Sequence, residues 1–573
     1  MTKINKNYSI KRNAKASENP VEILEAEKAL SQSMIWKLQT DFYANQGPEA
    51  WTKGIVPQYI TTNPYIANIY AKTVFGYCRD IVSSENFHKN TTIYIMELAA
   101  GVGRFTYSFL KRFQYLIDNS SLKGLSFKYL ITDLAERNVE YWLKHSYLKP
   151  FFESGILDCA TFNMAEDEEL HLRNSGEILR KGSLNNPLIL FANYTFDSLP
   201  QDTFYVNKGK LYEGLVTVIA KKEPAESKDN SILAGLDYSY TDRPVPGHGY
   251  YEAENINEIL LYYKDCLEDT AFSIPIIAFQ CISRLRSLFQ DDLVLLSSDK
   301  GYRNISSMRK NYHPFLSKHG SISLTVNFHA LELYFNSLGG SAIHSIYEHE
   351  SVTMSLFLLS KRSHDFMETS LAFQEVIESV GPDDFYILKK AMIPKQQTLT
   401  TKELLTFLRF TLWDARTFLE FYNTLLERLD KEENFPKEEL ISIIYQVWEY
   451  YFPIGEEGNL FYCLGSLLAY LGYDNDAIAL FESSIEFYGE DASLYYEIAL
   501  CYYNLQEFEK ALEYTDKTLF LAPDFSEGKS LKDLIIDILN YLDNYCSPKT
   551  RGTQPAPHAL PRSEEHGKTH GVY

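Results

Sequence analysis

The sequence predicts an α/β domain followed by an all-α domain, and three observations carry that prediction. Short β-rich apolar runs at Thr92–Leu98, Phe127–Thr132, Leu188–Asn193, Leu215–Ala220 and Leu293–Ser297 are mostly separated by helical patterns, as a parallel sheet with crossover helices requires. Between residues 346 and 545 the β signal almost vanishes, and apolar residues recur three and four apart, as in Glu403–Leu408 and Leu440–Ile444. The 573 residues suffice for three or four domains of about 150 residues each.

Composition narrows the class. With 45% hydrophobic residues and 42 Tyr, the chain can bury enough apolar surface to exclude a disordered or collagen-like protein. Its net charge of −21 repels nucleic acid and anionic membranes. No apolar run reaches the roughly 18 residues of a membrane span. The seven cysteines (78, 159, 266, 281, 463, 501 and 546) include no CxxC and no zinc spacing, so no metal is expected. Several lie in apolar runs, as buried thiols of a reducing compartment do, and the expected location is cytoplasmic. The basic first 17 residues lack an apolar stretch behind them, which argues against a secretory signal and leaves an organellar leader as the alternative.

In chain order, residues 1–35 are polar and read as a loose arm joined to a helix. Residues 36–345 form the α/β domain, and residues 346–457 read as a helical connector with degenerate repeats. Residues 458–545 carry a repeat and a capping helix. Residues 546–573, rich in Pro, His, Gly and Arg, read as a disordered tail. The repeat has a period of 34: Ala477/Ala511, Gly465/Ala499, Leu464/Ile498, Phe461/Tyr495 and Gly489/Pro523 keep one register. Small residues at 465, 477, 499 and 511 would let helix backbones approach, with Leu464, Phe481, Ile498 and Leu512 filling between them. This resembles the tetratricopeptide repeat, whose stacks offer a concave surface to a protein partner. Clusters such as Tyr262–Tyr263 and Tyr495–Tyr496 read as core or repeat packing.

The stretch Ile93–Phe105 carries the chemistry: an apolar strand, the acid Glu97, a turn of small residues through Gly101 and Gly103, then a helix from Arg104. Small residues allow a tight turn and a close ligand, and the helix start favours an anionic group. A dinucleotide fingerprint would place a third Gly at Thr106, so a nicotinamide-dependent oxidoreductase is the weaker reading. The run from Glu97 to Gly103 instead resembles the acid-x-Gly-x-Gly-x-Gly pattern of Rossmann-like class I S-adenosylmethionine-dependent methyltransferases, with Ala99 for the first Gly. That resemblance implies S-adenosyl-L-methionine as cofactor, with Glu97 facing its ammonium group and Asp133 its ribose hydroxyls. Asn163, after a third strand, would lie near the adenine.

Leu188–Pro200 runs from an apolar strand into a polar loop, putting Asn193, Tyr194 and Asp197 at a strand end where a methyl acceptor would arrive. It resembles the A-N-E-x-x-D-A-L-P signature of the MidA-type methyltransferases, the family of the mitochondrial complex I assembly factor that acts on a protein arginine. Tyr59–Pro64, Leu295–Tyr302 and Ser321–Phe328 resemble further segments of that family in the same order, so the likeness covers residues 40–345. It implies a methyltransferase acting on a protein side chain recruited by the repeats, with Asp197 and Asn193 acting on and orienting the acceptor. Tyr194 stands for the family's Glu, and Ser321 for an Asp. A phenol in place of a carboxylate alters the acceptor site, so a catalytically silent scaffold or assembly factor is the alternative. His313 and His319 flank a Pro-containing loop near this region and read as surface histidines.

Overall fold

The computed structural model describes residues 22–83, 92–184, 186–220, 232–289, 292–309, 312–347, 352–360 and 366–545. The sequence-expected tail at 546–573 and the first part of the N-terminal arm lie outside the described residues. The described residues divide into two compact units: those within 22–61, 72–103 and 117–379 form the first, and those within 62–71, 104–116 and 380–545 form the second. The division cuts across the expected 36–345 domain, because two short segments within it group with the helical unit.

Twelve strands of the first unit build its two larger sheets: β1 (Glu22–Ala29), β2 (Ile93–Leu98), β3 (Phe127–Asp133), β4 (Leu157–Thr161), β5 (Leu188–Asn193), β6 (Asp202–Asn207), β7 (Lys210–Ala220), β8 (Leu236–Pro244), β9 (Thr270–Ile274), β10 (Leu293–Asp299), β11 (Ser341–His344) and β12 (Thr353–Leu359). The central sheet has seven strands in the order β11-β12-β10-β5-β2-β3-β4. Its pairs β10–β5, β5–β2, β2–β3 and β3–β4 are parallel, whereas β12 runs antiparallel to both β10 and β11. Every residue of β2, β10 and β12 is buried, which explains their continuous apolar sequences. Trp142, Tyr129, Phe191 and Phe196 are among the largest fully buried side chains.

The direction of strand addition reverses beside β2. The chain goes from β2 to β3 and β4 on one side, then returns to add β5 and β10 on the other. In an open parallel sheet that reversal opens a crevice beyond the carboxyl ends of the two central strands. Here those ends are Leu98 and Asn193.

The second sheet is antiparallel, ordered β1-β7-β6-β9 with β8 also on β7. Two strands differ from the sequence expectation. Glu22–Ala29 falls in the expected arm, yet pairs with the apolar Leu215–Ala220 half of β7. Thr353–Leu359 falls in the zone read as all-α, yet inserts between β10 and β11, where burial on both faces overrides the helical preference of its Leu and Met residues. Within the first unit, helix α1 (Met34–Gln46) follows β1 closely; Ser33 caps it, and the Glu25 carboxylate accepts from the Met34 N–H at 3.0 Å. A short helix α2 (Glu49–Thr52) comes next.

The second unit contains α3 (Ala415–Lys431), α4 (Leu460–Tyr470), α5 (Asp474–Tyr488), α6 (Ala492–Asn504), α7 (Phe508–Leu521) and α8 (Ser526–Tyr545) among its helices. Helices α4/α5 and α6/α7 pack as hairpins, with Gly465 lying so close to Phe481 that an added Cβ would meet its ring at 2.7 Å. Ala499 and Ala511 are fully buried and share a cluster with Leu531 and Ile535 of α8. No helix of the described residues is long and apolar enough to cross a membrane.

Candidate functional site

At the carboxyl end of β2 the chain turns through three left-handed residues: Ala99 at φ +52°, Gly101 at +58° and Gly103 at +80°. Ala99 thus adopts the conformation for which glycine is the unstrained residue. The turn is pinned by the Ala100 N–H donating to the Thr132 carbonyl at 2.9 Å and the Gly103 N–H donating to that of Ala100 at 3.1 Å. The helix Arg104–Asp118 begins next, where the sequence predicts it.

Glu97, buried in β2, accepts a hydrogen bond from the Tyr129 hydroxyl at 2.7 Å. Asp133 closes β3, one strand away, where its Oδ2 accepts from the Gly101 N–H and its Oδ1 from the Ala135 N–H, both at 2.9 Å. Burial raises the Asp133 pKa to about 6 although these donors favour its charged form. Glu97, next to last in β2, and Asp133, last in β3, therefore lie at the carboxyl ends of neighbouring strands beside the glycine turn. Asn163 lies just past β4, but its own turn uses its side chain: Oδ1 accepts from the Ala165 N–H at 3.0 Å and Nδ2 donates to Glu166 at 3.2 Å.

The space that the two glycines leave is filled from within the unit. A Cβ on Gly101 would meet the Trp51 ring of α2 at 3.1 Å. One on Gly103 would meet Trp142 and Ile131 at 3.3 Å, and the Trp142 indole donates to the Gly101 carbonyl at 2.9 Å. Trp51 stacks on Tyr43, with ring centroids 5.8 Å apart. Burial raises the pKa of the Tyr43 phenol, which hydrogen-bonds Ser321 and Ser198 and feels the charges of both Asp197 and Asp133. Tyr43 thus ties the two halves of the crevice together.

On the other side, Asn193 ends β5 and Tyr194 follows in a left-handed conformation, φ +49°, its N–H donating to the Ser298 carbonyl at 2.9 Å. Thr195 bridges back to β2 through its hydroxyl, 3.3 Å from the Leu98 carbonyl. The turn Phe196–Ser198 then presents Asp197, which accepts from the Ser198 hydroxyl at 2.9 Å. Asp299, the last residue of β10, accepts from the Thr195 and Phe196 N–H groups at 3.2 and 3.0 Å. Burial raises Asp197 to about 7, and burial together with the Asp197 charge raises Asp299 well above the carboxylate range. Two desolvated carboxyl groups side by side retain a proton where an isolated acid would not.

The structure thus gathers Glu97, Gly101, Gly103 and Asp133 at one rim and Asn193, Tyr194 and Asp197 at the other. Ser321 joins the second group through Tyr43. Asp299 and Tyr43 were missed as site residues. Asp299 was legible as an acid at a strand end beside the Gly301–Tyr302 step, whereas nothing in the sequence brings Tyr43 to Asp197. His313 donates or accepts through both ring nitrogens, 3.0 Å from the Thr203 hydroxyl and 2.7 Å from Asp242. With Phe272, Tyr302, Tyr312 and Phe315 it lines a cleft of about 360 Å³. His319 lies in the short strand Ser317–His319. Among the described residues no group of three or more His, Cys, Asp and Glu could hold a metal ion.

No protein-family model matches the chain, and no curated protein matches it by sequence. Among solved structures, an uncharacterised protein from Burkholderia thailandensis is similar over 58% of this chain and 89% of its own, at 12% identity and a TM-score of 0.36. A candidate methyltransferase of the same superfamily and organism, bound to S-adenosyl-homocysteine, is similar over 56% of this chain and 73% of its own, at 14% identity and a TM-score of 0.32. The structure of MamA is similar over 25% of this chain and 78% of its own, at 20% identity and a TM-score of 0.21.

Proposed function

We propose that the chain is an S-adenosyl-L-methionine-dependent methyltransferase built on a Rossmann-like sheet, acting on a protein side chain of arginine type recruited by tetratricopeptide-like helix pairs. One observation carries the reading: Glu97 and Asp133 lie at the carboxyl ends of the adjacent parallel strands β2 and β3, next to the reversal of strand order, and the left-handed turn between them is hydrogen-bonded to Asp133. A buried carboxylate suits an ammonium group, and Asp133, held at the end of β3 by the Gly101 and Ala135 N–H groups, suits ribose hydroxyls. When bound, the sulfonium cofactor supplies a methyl group for in-line transfer. The protein's part is then alignment and exclusion of water. Asn193 orients the acceptor, Tyr194 faces it, and the Asp197–Asp299 pair takes the proton that the acceptor nitrogen sheds. Asn163 borders the adenine in this reading, through its turn rather than its occupied side chain.

Calorimetry of the full chain with S-adenosylmethionine and S-adenosylhomocysteine tests this; binding of both is expected, and an absence of heat at millimolar concentration defeats it. Binding of NADH in place of both would instead support an oxidoreductase. Incubation with labelled cofactor and a lysate, followed by mass spectrometry, would locate the methylated atom.

A second reading is favoured by Trp51 and Tyr43. Trp51 packs on Gly101, and the Tyr43 phenol lies among Ser198, Ser321 and Asp197. Side chains so placed suit a silent methyltransferase fold serving as a scaffold through its helix pairs. Cofactor binding gained only on Trp51→Ala would favour it.

A further inference from the structure

Strand β9 is the outermost strand of the antiparallel sheet, so among the described residues one of its edges has no strand beside it. At Ser273 side chains cover that edge: Asn327 Nδ2 donates to the Ser273 carbonyl at 2.8 Å, and the Ser273 N–H reaches the Tyr302 hydroxyl at 3.5 Å. Phe272 turns the other way, toward β6, where the Thr203 hydroxyl lies 3.4 Å from its carbonyl. Main-chain groups alternate in this manner along an antiparallel strand, so Ala271, two residues before Ser273, turns its N–H and carbonyl to the open edge. Neither group has a hydrogen bond there among the described residues. Ala271 and Ser273 also line the cleft of about 360 Å³, together with Tyr302, Thr325, Tyr312 and Phe315. Tyr312 and Phe315 are 81% and 76% exposed, so two large rings stand at the mouth of the cleft with little to pack on. No Asp, Glu, Lys or Arg is among the lining residues, whereas the hydroxyls of Ser273, Tyr302 and Thr325 are.

An open strand edge takes up an extended chain as an added strand, with main-chain hydrogen bonds supplying affinity and side-chain pockets specificity. We propose that β9 receives an extended protein segment, which pairs with Ala271 and places a tyrosine ring in the cleft. Three features choose this occupant. The N–H and carbonyl of Ala271 match a peptide backbone. The volume, at the small end of ligand sites, admits one aromatic side chain and no folded element. A lining of rings and hydroxyls without full charges suits a phenol, apolar around its ring and polar at its tip, whereas a charged side chain would be desolvated there without a partner. The cleft also adjoins the acceptor rim. Thr325 stands between Leu324, whose N–H donates to the Asp197 carbonyl at 2.8 Å, and Val326, whose N–H donates to the Lys300 carbonyl at 2.8 Å. That a bound segment would thereby bring a methyl-accepting residue to that rim rests on the methyltransferase reading; the pairing itself does not.

The test titrates the full chain, without cofactor, with the blocked peptide Ser-Thr-Tyr-Thr-Ser, its leucine counterpart and p-cresol. The tyrosine peptide is expected to bind, and both others to bind several-fold more weakly. Methylating the main-chain nitrogens of the tyrosine peptide should weaken it, because a methylated amide cannot donate to the Ala271 carbonyl. Phe315→Ala and Tyr312→Ala, at rings too exposed to support the fold, should each lose several-fold in affinity with an unchanged thermal melt. Phe520→Ala, at an 85% exposed ring of the helical unit, should change nothing. Equal affinity for the leucine peptide or for p-cresol, full affinity of both rim variants or of the methylated peptide, or no binding of the tyrosine peptide at millimolar concentration overturns the proposal, even where the chain binds S-adenosylmethionine.

Discussion

Asp197 and Asp299 bury their carboxyl groups beside each other, one on the turn after β5 and one at the end of β10. Their folded-state pKa values lie above those of an unfolded chain, so the native state binds protons more tightly. The resulting stabilisation is complete below about pH 4 and is lost as pH rises through about 7. Urea unfolding of the full chain should therefore show less stability at pH 8 than at pH 5. Asp197→Asn should narrow the difference by more than about 1 kcal/mol, since each pKa unit corresponds to about 1.4 kcal/mol. An unchanged difference would mean that burial does not raise the Asp197 carboxyl in the folded state.

Ala99 holds a left-handed conformation at φ +52°. Glycine adopts it without the Cβ penalty of about 1–2 kcal/mol, partly offset by its freedom in the unfolded chain. Ala99→Gly should leave stability unchanged or raise it by up to about 1 kcal/mol, read by the denaturation midpoint. A large loss would show that the Ala99 methyl group packs against something essential.

Gly101→Val meets two obstacles, a left-handed backbone and the Trp51 ring. It should cost upwards of about 2 kcal/mol. In the Trp51→Ala background the cost should shrink without vanishing, because the backbone conformation remains wrong for valine. A double-mutant cycle measures the difference.

The Tyr129 hydroxyl holds Glu97 at 2.7 Å. Tyr129→Phe removes one donor from a buried carboxylate, an interaction worth about 1.5–3 kcal/mol. If Glu97 receives the cofactor's ammonium group, this positioning residue should shift S-adenosylmethionine affinity about tenfold while leaving the affinity for adenosine alone near its original value.

In the helical unit, Gly465→Val would drive a side chain into Phe481. Overpacking of this kind costs about 1–3 kcal/mol. The loss should appear as an earlier melt of the helical signal at 222 nm.

Strands with unbroken apolar runs were legible: Ile93–Leu98, Leu188–Asn193 and Leu293–Asp299 lie within a residue or two of their expected bounds because burial on both faces leaves a plain signal. Glu22–Ala29 was not. Its Glu-Ile-Leu-Glu-Ala-Glu-Lys-Ala composition favours a helix, and only the β7 ladder makes it a strand. Thr353–Leu359 escaped for a related reason, since its place between two strands is set by partners distant in sequence. The glycine turn and the acids at the strand ends were readable from residue type and spacing. Their covering by Tyr43 and Trp51 was not, because no local pattern tells a helix near the N-terminus which strand ends it will meet.

β1 has a practical consequence for anyone trimming this protein. A truncation placed at residue 36, where hydropathy alone would draw it, strips an outer strand and bares one edge of Leu215–Ala220, whose other edge stays paired with β8. Such an open edge invites pairing between copies. A shortened version that is to remain monodisperse should start no later than Glu22.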